Sequence, residues 1–274
     1  MHARKLLPAI CVLFLACISA QAQFFATWQD RVTATQAEQP HWVTPLMTVT
    51  PRLEQEFRFD VLRELMPSGD TLVNLGGSKG LELIPSHNIE LIVTAPPGYL
   101  LHHNPKLKDG FADESFLLKY RAASGNEEHG NYIVTFFLSG SVPTGTYRNG
   151  STDAIVTPTV AAGKGFGRFD VQSTLGVALP VANVRNLGHA VAWNTAMQIH
   201  VRRFFWPELE INSTFNEGGV NDGKKQTFLT PGLLFGRVPL HGRMGLTFGA
   251  GMQIAATHFH TYDHNLVLSA RLPF

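Results

Sequence analysis

The sequence is poor in charge, in cysteine and in long apolar stretches. Asp, Glu, Lys and Arg make up only 16% of its 274 residues, where a soluble domain carries roughly 25%. That is little charge for a water-exposed surface of this size. There is no basic excess either, since 22 Lys and Arg face 21 Asp and Glu. A nucleic-acid backbone has nothing to be drawn to, so nucleic acid is not an expected partner. Only two cysteines occur, Cys11 and Cys17. Beyond Ala20 no apolar run approaches the roughly 20 residues of a membrane-spanning helix, which excludes a helical membrane protein. The 19 Phe and 4 Trp exclude a disordered chain.

What is present begins with an export signal. Arg4 and Lys5 precede an uncharged run from Leu6 to Ala20, followed by Ala20-Gln21-Ala22. This is the pattern of a secretory signal peptide over residues 1–22, cleaved near Ala22. Phe14-Leu15-Ala16 before Cys17 is a poor match to a lipoprotein cleavage box. Both cysteines leave with the signal, so no disulfide is expected in the exported chain.

The remainder alternates with a period of two. In Met244–Ile254 the even positions are mostly apolar and the odd ones Gly, Thr and Gln. Val191–Val201 and Phe169–Leu179 alternate in the same way. Near the start, Val49, Pro51, Leu53, Phe57, Phe59 and Val61 oppose Arg52, Glu54, Glu56, Arg58 and Asp60. Twelve candidate strands are centred near 55, 75, 91, 117, 137, 158, 173, 196, 211, 232, 249 and 269. Many exceed the usual strand length of about 5–6 residues and match the roughly 9–11 of a tilted membrane-crossing strand. Connections alternate between short turns (164–167, 203–206, 239–242) and longer polar loops (145–152, 181–189, 216–225, 257–264). The long segment 122–130 breaks that rule.

Alternation alone fits a soluble β-sandwich as well as a membrane barrel. Three features favour the barrel. The polar face is rich in small residues (Gly176, Ala192, Ala196, Gly245, Gly249, Gly251), which suits a crowded interior. The charge content is low. The final stretch places Leu266, Leu268, Ala270, Leu272 and Phe274 on one face. The expected fold is therefore an all-β, antiparallel transmembrane barrel of about 12 strands. An even strand number puts both termini in the periplasm. Residues 23–45 would form a periplasmic segment, a lead-in or a short plug, and 46–274 the barrel.

The C-terminal strand, with Leu266, Leu268, Leu272 and terminal Phe274, resembles the recognition signal of bacterial outer-membrane barrel proteins. The resemblance implies outer-membrane lipid as surroundings and the barrel-assembly machinery as a partner. Val142-Pro143-Thr144-Gly145 and Thr230-Pro231-Gly232 resemble phrases of the outer-membrane transporters of the "MetA-pathway of phenol degradation" family. No binding residues are carried over from it.

With apolar faces outward, the strand charges point into a lumen. These are Arg52, Glu54, Glu56, Arg58, Asp60, Lys119, Arg121, Arg168, Asp170, His200, Arg202, Glu208, Glu210, Arg243 and Arg271. Either they line a narrow wet path for a small-molecule solute, or they pair across the lumen and close it. A channel or transporter is one expectation, and a closed barrel acting through its loops another. A secreted, ligand-binding β-sandwich is the third. Phe204, Phe205 and Trp206 would anchor at the periplasmic interface. No enzyme is expected: no Gly-x-Ser-x-Gly elbow occurs, and Ser173 and Ser213 face outward without a histidine beside them. The Gly163-Lys164-Gly165-Phe166-Gly167 stretch lacks the ending of a phosphate loop. No cofactor is implied. His258, His260 and His264, with Asp263, are metal-ligand candidates in the last long loop, against the alternative of a polar surface loop that uses His.

Overall fold

The computed structural model describes residues 26–274. The signal-peptide reading over 1–22 and the cleavage near Ala22 lie outside the described residues. After a helix over residues 26–37 (α1), fourteen strands follow. They are β1 (Glu56–Leu65), β2 (Thr71–Ser86), β3 (Ile89–Val93), β4 (Tyr99–His102), β5 (Gly110–Phe111), β6 (Glu114–Gly125) and β7 (Tyr132–Val142). Then come β8 (Ile155–Phe166), β9 (Phe169–Pro180), β10 (His189–Ile199), β11 (Phe205–Glu217), β12 (Lys225–His241), β13 (Met244–Ala255) and β14 (His264–Pro273).

Each neighbour pair is antiparallel, and β1 pairs both β2 and β14, so the sheet closes on itself. Twelve strands form the ring, and they correspond to the twelve expected from the sequence. The third wall strand is broken. β3 pairs with residues 81–86 of β2, and β4 resumes against 72–75. Pro96-Pro97 sits in the gap, where missing N–H groups cannot continue a ladder. β4 and β5 form a small hairpin beside the ring.

The short turns share one rim with Glu56 and Pro273, called here the terminal rim. The other connections (66–70, 103–113, 143–154, 181–188, 218–224 and 256–263), most of them long, share the opposite rim, the loop rim. The irregular segment expected at 122–130 is shortened: β6 continues to Gly125, leaving a six-residue turn, 126–131, the longest on the terminal rim.

Side chains alternate across the wall as the period of two dictates. Phe57, Phe59, Phe116, Phe136, Leu138, Val160, Leu175, Trp193, Leu233, Phe248 and Leu268 all face outward and exposed. An apolar girdle of this kind is unfavourable in water and favourable in lipid. The inner face carries the buried polar set, including Arg58, Lys119, Gln172, Gln198, Glu210, Gln253 and Arg271.

Two readings of the N-terminal part need correction. The wall begins at Glu56, not at 46. Residues 46–55 belong with the segment before them, inside the barrel. Leu53, expected on the outer face, is fully buried there with Val32 and Ile84. Trp206 also faces inward: it packs in a luminal cluster with Trp42, Leu46, Ile133, Leu234 and Val267, so it is no interface anchor.

Candidate functional site in the barrel lumen

The lumen is occupied by the chain's own residues 38–55. Helix α1 turns one face to the wall through Val32 and Thr35, with Trp28 packed on the Val32 cluster. The helix stops before Pro40, and Pro45 and Pro51 keep the following stretch irregular. An irregular backbone buried in a barrel has amides and carbonyls that still need partners. The inner wall supplies them from side chains.

Three consecutive amides meet carboxylates on β11. Leu46 N donates to Glu208 Oε1 (3.2 Å), Met47 N to Glu210 Oε1 (2.7 Å) and Thr48 N to Glu210 Oε2 (2.5 Å). Three neighbouring carbonyls meet arginines. Arg271 donates to the carbonyls of Thr44 and Pro45, the latter at 2.8 Å. Arg58 donates to those of Pro45 (3.3 Å) and Leu46. Further along, Lys119 Nζ reaches Arg52 O (3.0 Å), Thr135 Oγ1 reaches Pro51 O (2.6 Å), and Glu54 N donates to Glu90 Oε2 (2.6 Å). Gln172 donates to Val43 O at 3.1 Å and accepts from Thr50 Oγ1 at 2.7 Å. Charge-assisted bonds of this type are roughly twice as strong as neutral ones.

The same charges are paired with each other. Arg58 contacts Asp60 at 2.8 Å, Lys119 contacts Glu90 at 2.9 Å and Arg52 contacts Glu54 at 2.9 Å. Pairing of this kind offsets the cost of burying an ion. The small inner-face residues find their reason here too. A Cβ on Gly232, Gly249 or Gly251 would come within 2.6 Å of the Leu46 side chain, and one on Gly163 within 2.5 Å of the Trp42 ring. The glycines are the space that the segment fills.

The fold resembles solved channels. A superposition on the COG4313 outer membrane channel from Pseudomonas putida F1 gives a TM-score of 0.58 at 14% identity, covering 85% of this chain and 100% of that one. The NanC porin gives 0.52 at 10% identity, covering 79% and 98%. This is the fold of a bacterial outer-membrane β-barrel. No family model matches the sequence, and no curated protein matches it.

Within the barrel, the charged residues singled out from sequence fall into three places. Arg52, Glu54, Glu56, Arg58, Lys119, Arg121, Asp170, Glu208, Glu210 and Arg271 are buried on the luminal side. Arg52 and Glu54 get there from the inner segment rather than from a strand. His200 and Arg243 lie at the terminal rim. His200 stacks on Trp206 with ring centroids 4.0 Å apart. Arg243 holds helix α1 through Thr33 Oγ1 and Gln36 Oε1. Arg168 and Arg202 are exposed in the turns after β8 and β10, so they do not line the lumen. Two-residue and five-residue turns release both side chains from the strand phase that placed them inside.

The barrel also buries polar residues that the sequence did not single out. These include Lys79, Glu82, Glu90, Gln172, Gln198 and Gln253. The glutamines carry no charge to draw notice, and Glu90 sits on a short, interrupted strand. At the loop rim, His260 is committed locally: Nδ1 donates to Thr257 O (2.8 Å) and Nε2 to Asp263 Oδ1 (2.8 Å). Both nitrogens acting as donors defines an imidazolium. The Thr257 carbonyl and then Asp263 raise its pKa above 6.5. That leaves no free nitrogen for a metal, and no group of three candidate ligands occurs among the described residues. His258 and His264 are exposed.

Two cavities flank the segment inside the barrel. One, of about 300 Å³, opens toward the terminal rim between Trp42, Arg52, Glu56, Trp206 and Arg271. The other, of about 250 Å³, lies against β3, β6, β7 and β8 on the loop side. Arg52 Nε, Glu56 Oε1, Glu82 Oε1 and Asp170 Oδ2 are buried with no hydrogen-bond partner among the described residues.

Proposed function

We propose that the chain is an outer-membrane channel for small polar solutes whose bore is set by residues 38–55. One observation carries the reading. The inner wall carries a large buried polar set beside the apolar cluster around Ile133, Trp206, Leu234 and Val267 and grips the segment by its backbone, yet it leaves buried polar atoms unpaired beside two cavities. A purely structural core satisfies such atoms or excludes them. A lumen that admits water and solute satisfies them by turns. The likeness to the COG4313 channel and the NanC porin supports a channel-like barrel. In this reading Leu266, Leu268, Leu272 and Phe274 present the assembly signal on the outer face of β14.

The density of the clamp favours a second reading, a barrel closed by its own N-terminal segment and acting through the long loops. Planar-bilayer recording on the purified full chain separates the two. A channel gives small, discrete current steps. Folded, heat-modifiable protein that gives no steps refutes the channel and leaves the closed barrel.

A further inference from the structure

One buried cation plays no part in the clamp. Lys79 is 8% exposed, and its Nζ has no hydrogen-bond partner among the described residues. Its position is built into the wall. Opposite Arg58 and Asp60 of β1, strand β2 places Gly80 and Gly76, so residues 77–79 form a bulge. Inward residues of β2 below the bulge are the even ones, Glu82 and Ile84. The bulge resets that phase and turns an odd residue, Lys79, to the inside. Gly76, Gly77 and Gly80 have φ of +106°, +64° and +98°, which the excursion requires. At Gly80 a Cβ would also lie 2.7 Å from the Val93 carbonyl oxygen.

No nearby carboxylate pairs directly with Lys79. Asp60 is held by Arg58 through two hydrogen bonds of 2.9 and 2.8 Å. Neither Asp60 nor Glu82 is within ion-pair distance of the Lys79 amine. Lys79 instead lines the 250 Å³ cavity on the loop side. Ser141 and Thr157 line it as well, and their hydroxyls make no hydrogen bond among the described residues. Ile92, Leu117 and Ile155 supply an apolar wall. A buried, unpaired ammonium is costly, and an anion entering this cavity would relieve that cost.

We infer that this cavity is a binding subsite for a small monocarboxylate with an apolar body. The Lys79 ammonium and the two hydroxyls take the carboxylate, and Ile92, Leu117 and Ile155 take the hydrocarbon. The volume, about eight waters' worth of liquid, suits a chain of a few carbons. The inference deepens the channel reading and rests on it for its physiological meaning, but the site is testable without transport.

The test is isothermal titration of hexanoate, and of its neutral isostere hexanamide, into the detergent-solubilised full chain. Hexanoate should bind saturably and at least about tenfold more tightly than hexanamide. Lys79→Met should weaken hexanoate about tenfold or more and leave hexanamide unchanged, while Lys79→Arg retains binding. Should Lys79→Met lose its heat-dependent gel shift, Thr157→Val replaces it, with a weakening of a few fold expected for hexanoate alone. Equal affinity for the two probes, or Lys79→Met binding hexanoate as the unmodified chain does, overturns the inference. Lys79-dependent binding without bilayer current keeps the subsite and removes the channel. Current without such binding keeps the channel and removes the subsite.

Discussion

Replacing Glu210 by Gln is the most direct perturbation of the luminal clamp. Glu210 is fully buried, and its two oxygens accept from Met47 N and Thr48 N. The amide keeps one acceptor of neutral strength, losing about 1 kcal/mol. Its NH2 group then faces a second N–H donor, so one bond is lost and a buried donor is stranded, for about 3 kcal/mol. One effect opposes this. Glu208 and Glu210 project from the same face of β11, about 7 Å apart by strand geometry. Their repulsion at an effective dielectric constant near 20 is about 2 kcal/mol, and Glu210→Gln removes it. The net loss of docking free energy is then about 2 kcal/mol, a shift of roughly thirtyfold toward the undocked segment. Residues 23–274 contain no cysteine, so Met47→Cys in that span supplies a single reporter. Its rate of modification by a water-soluble maleimide should rise roughly thirtyfold when Glu210→Gln is added. An unchanged rate in a barrel that still shows its heat-dependent mobility shift would refute the claim that Glu210 anchors the segment.

Other outcomes follow from the same geometry. Gly249→Val places a side chain within 2.6 Å of Leu46 and 2.7 Å of Leu234. Limited proteolysis between residues 41 and 50 should accelerate by an amount matching about 1–3 kcal/mol of overpacking, and adding Leu46→Ala should reverse it. Phe136→Arg, in the outer girdle, should destabilise folding into lipid vesicles by about 2–4 kcal/mol or more, read by urea titration. The His260 imidazole should titrate above 6.5 by NMR and return toward that value in Asp263→Asn. Because its folded pKa is the higher one, the loop 256–263 gains stabilisation below about pH 6.5. It should lose that stabilisation, and its hydrogen-exchange protection, as pH rises through the raised value.

The wall was legible because a strand between lipid and lumen writes its two faces into alternate residues, as Met244–Ile254 does. The inner segment was not, and its alternation misled. Val49, Pro51 and Leu53 against Arg52 and Glu54 continue the period of β1 without a gap. Gln39 explains part of this: its side chain donates to Leu53 O (2.8 Å) and accepts from Leu53 N (2.9 Å), imitating a neighbouring strand. Charged lumen residues could be picked out by their phase, but their partners could not, since main-chain amides and carbonyls have no signature in sequence. Lys79 was missed because a bulge reverses the phase that would reveal it. Trp206 was misplaced because an aromatic residue beside a turn resembles an interface anchor whichever way it points.

The clamp on Thr44–Thr48 also sets a temporal order. Those residues are made before any strand, yet the groups that hold them come from β1, β11 and β14. Arg271 lies on the strand that closes the ring against β1. The clamp on this early stretch is therefore complete only when the last strand is in place. A folding barrel must keep a stretch with three prolines and no strand of its own near the entrance until the wall is complete. A protein halted before β14 pairs would expose both the open sheet edge and a segment without its Arg271 contacts, two marks that tell an unfinished barrel from a finished one.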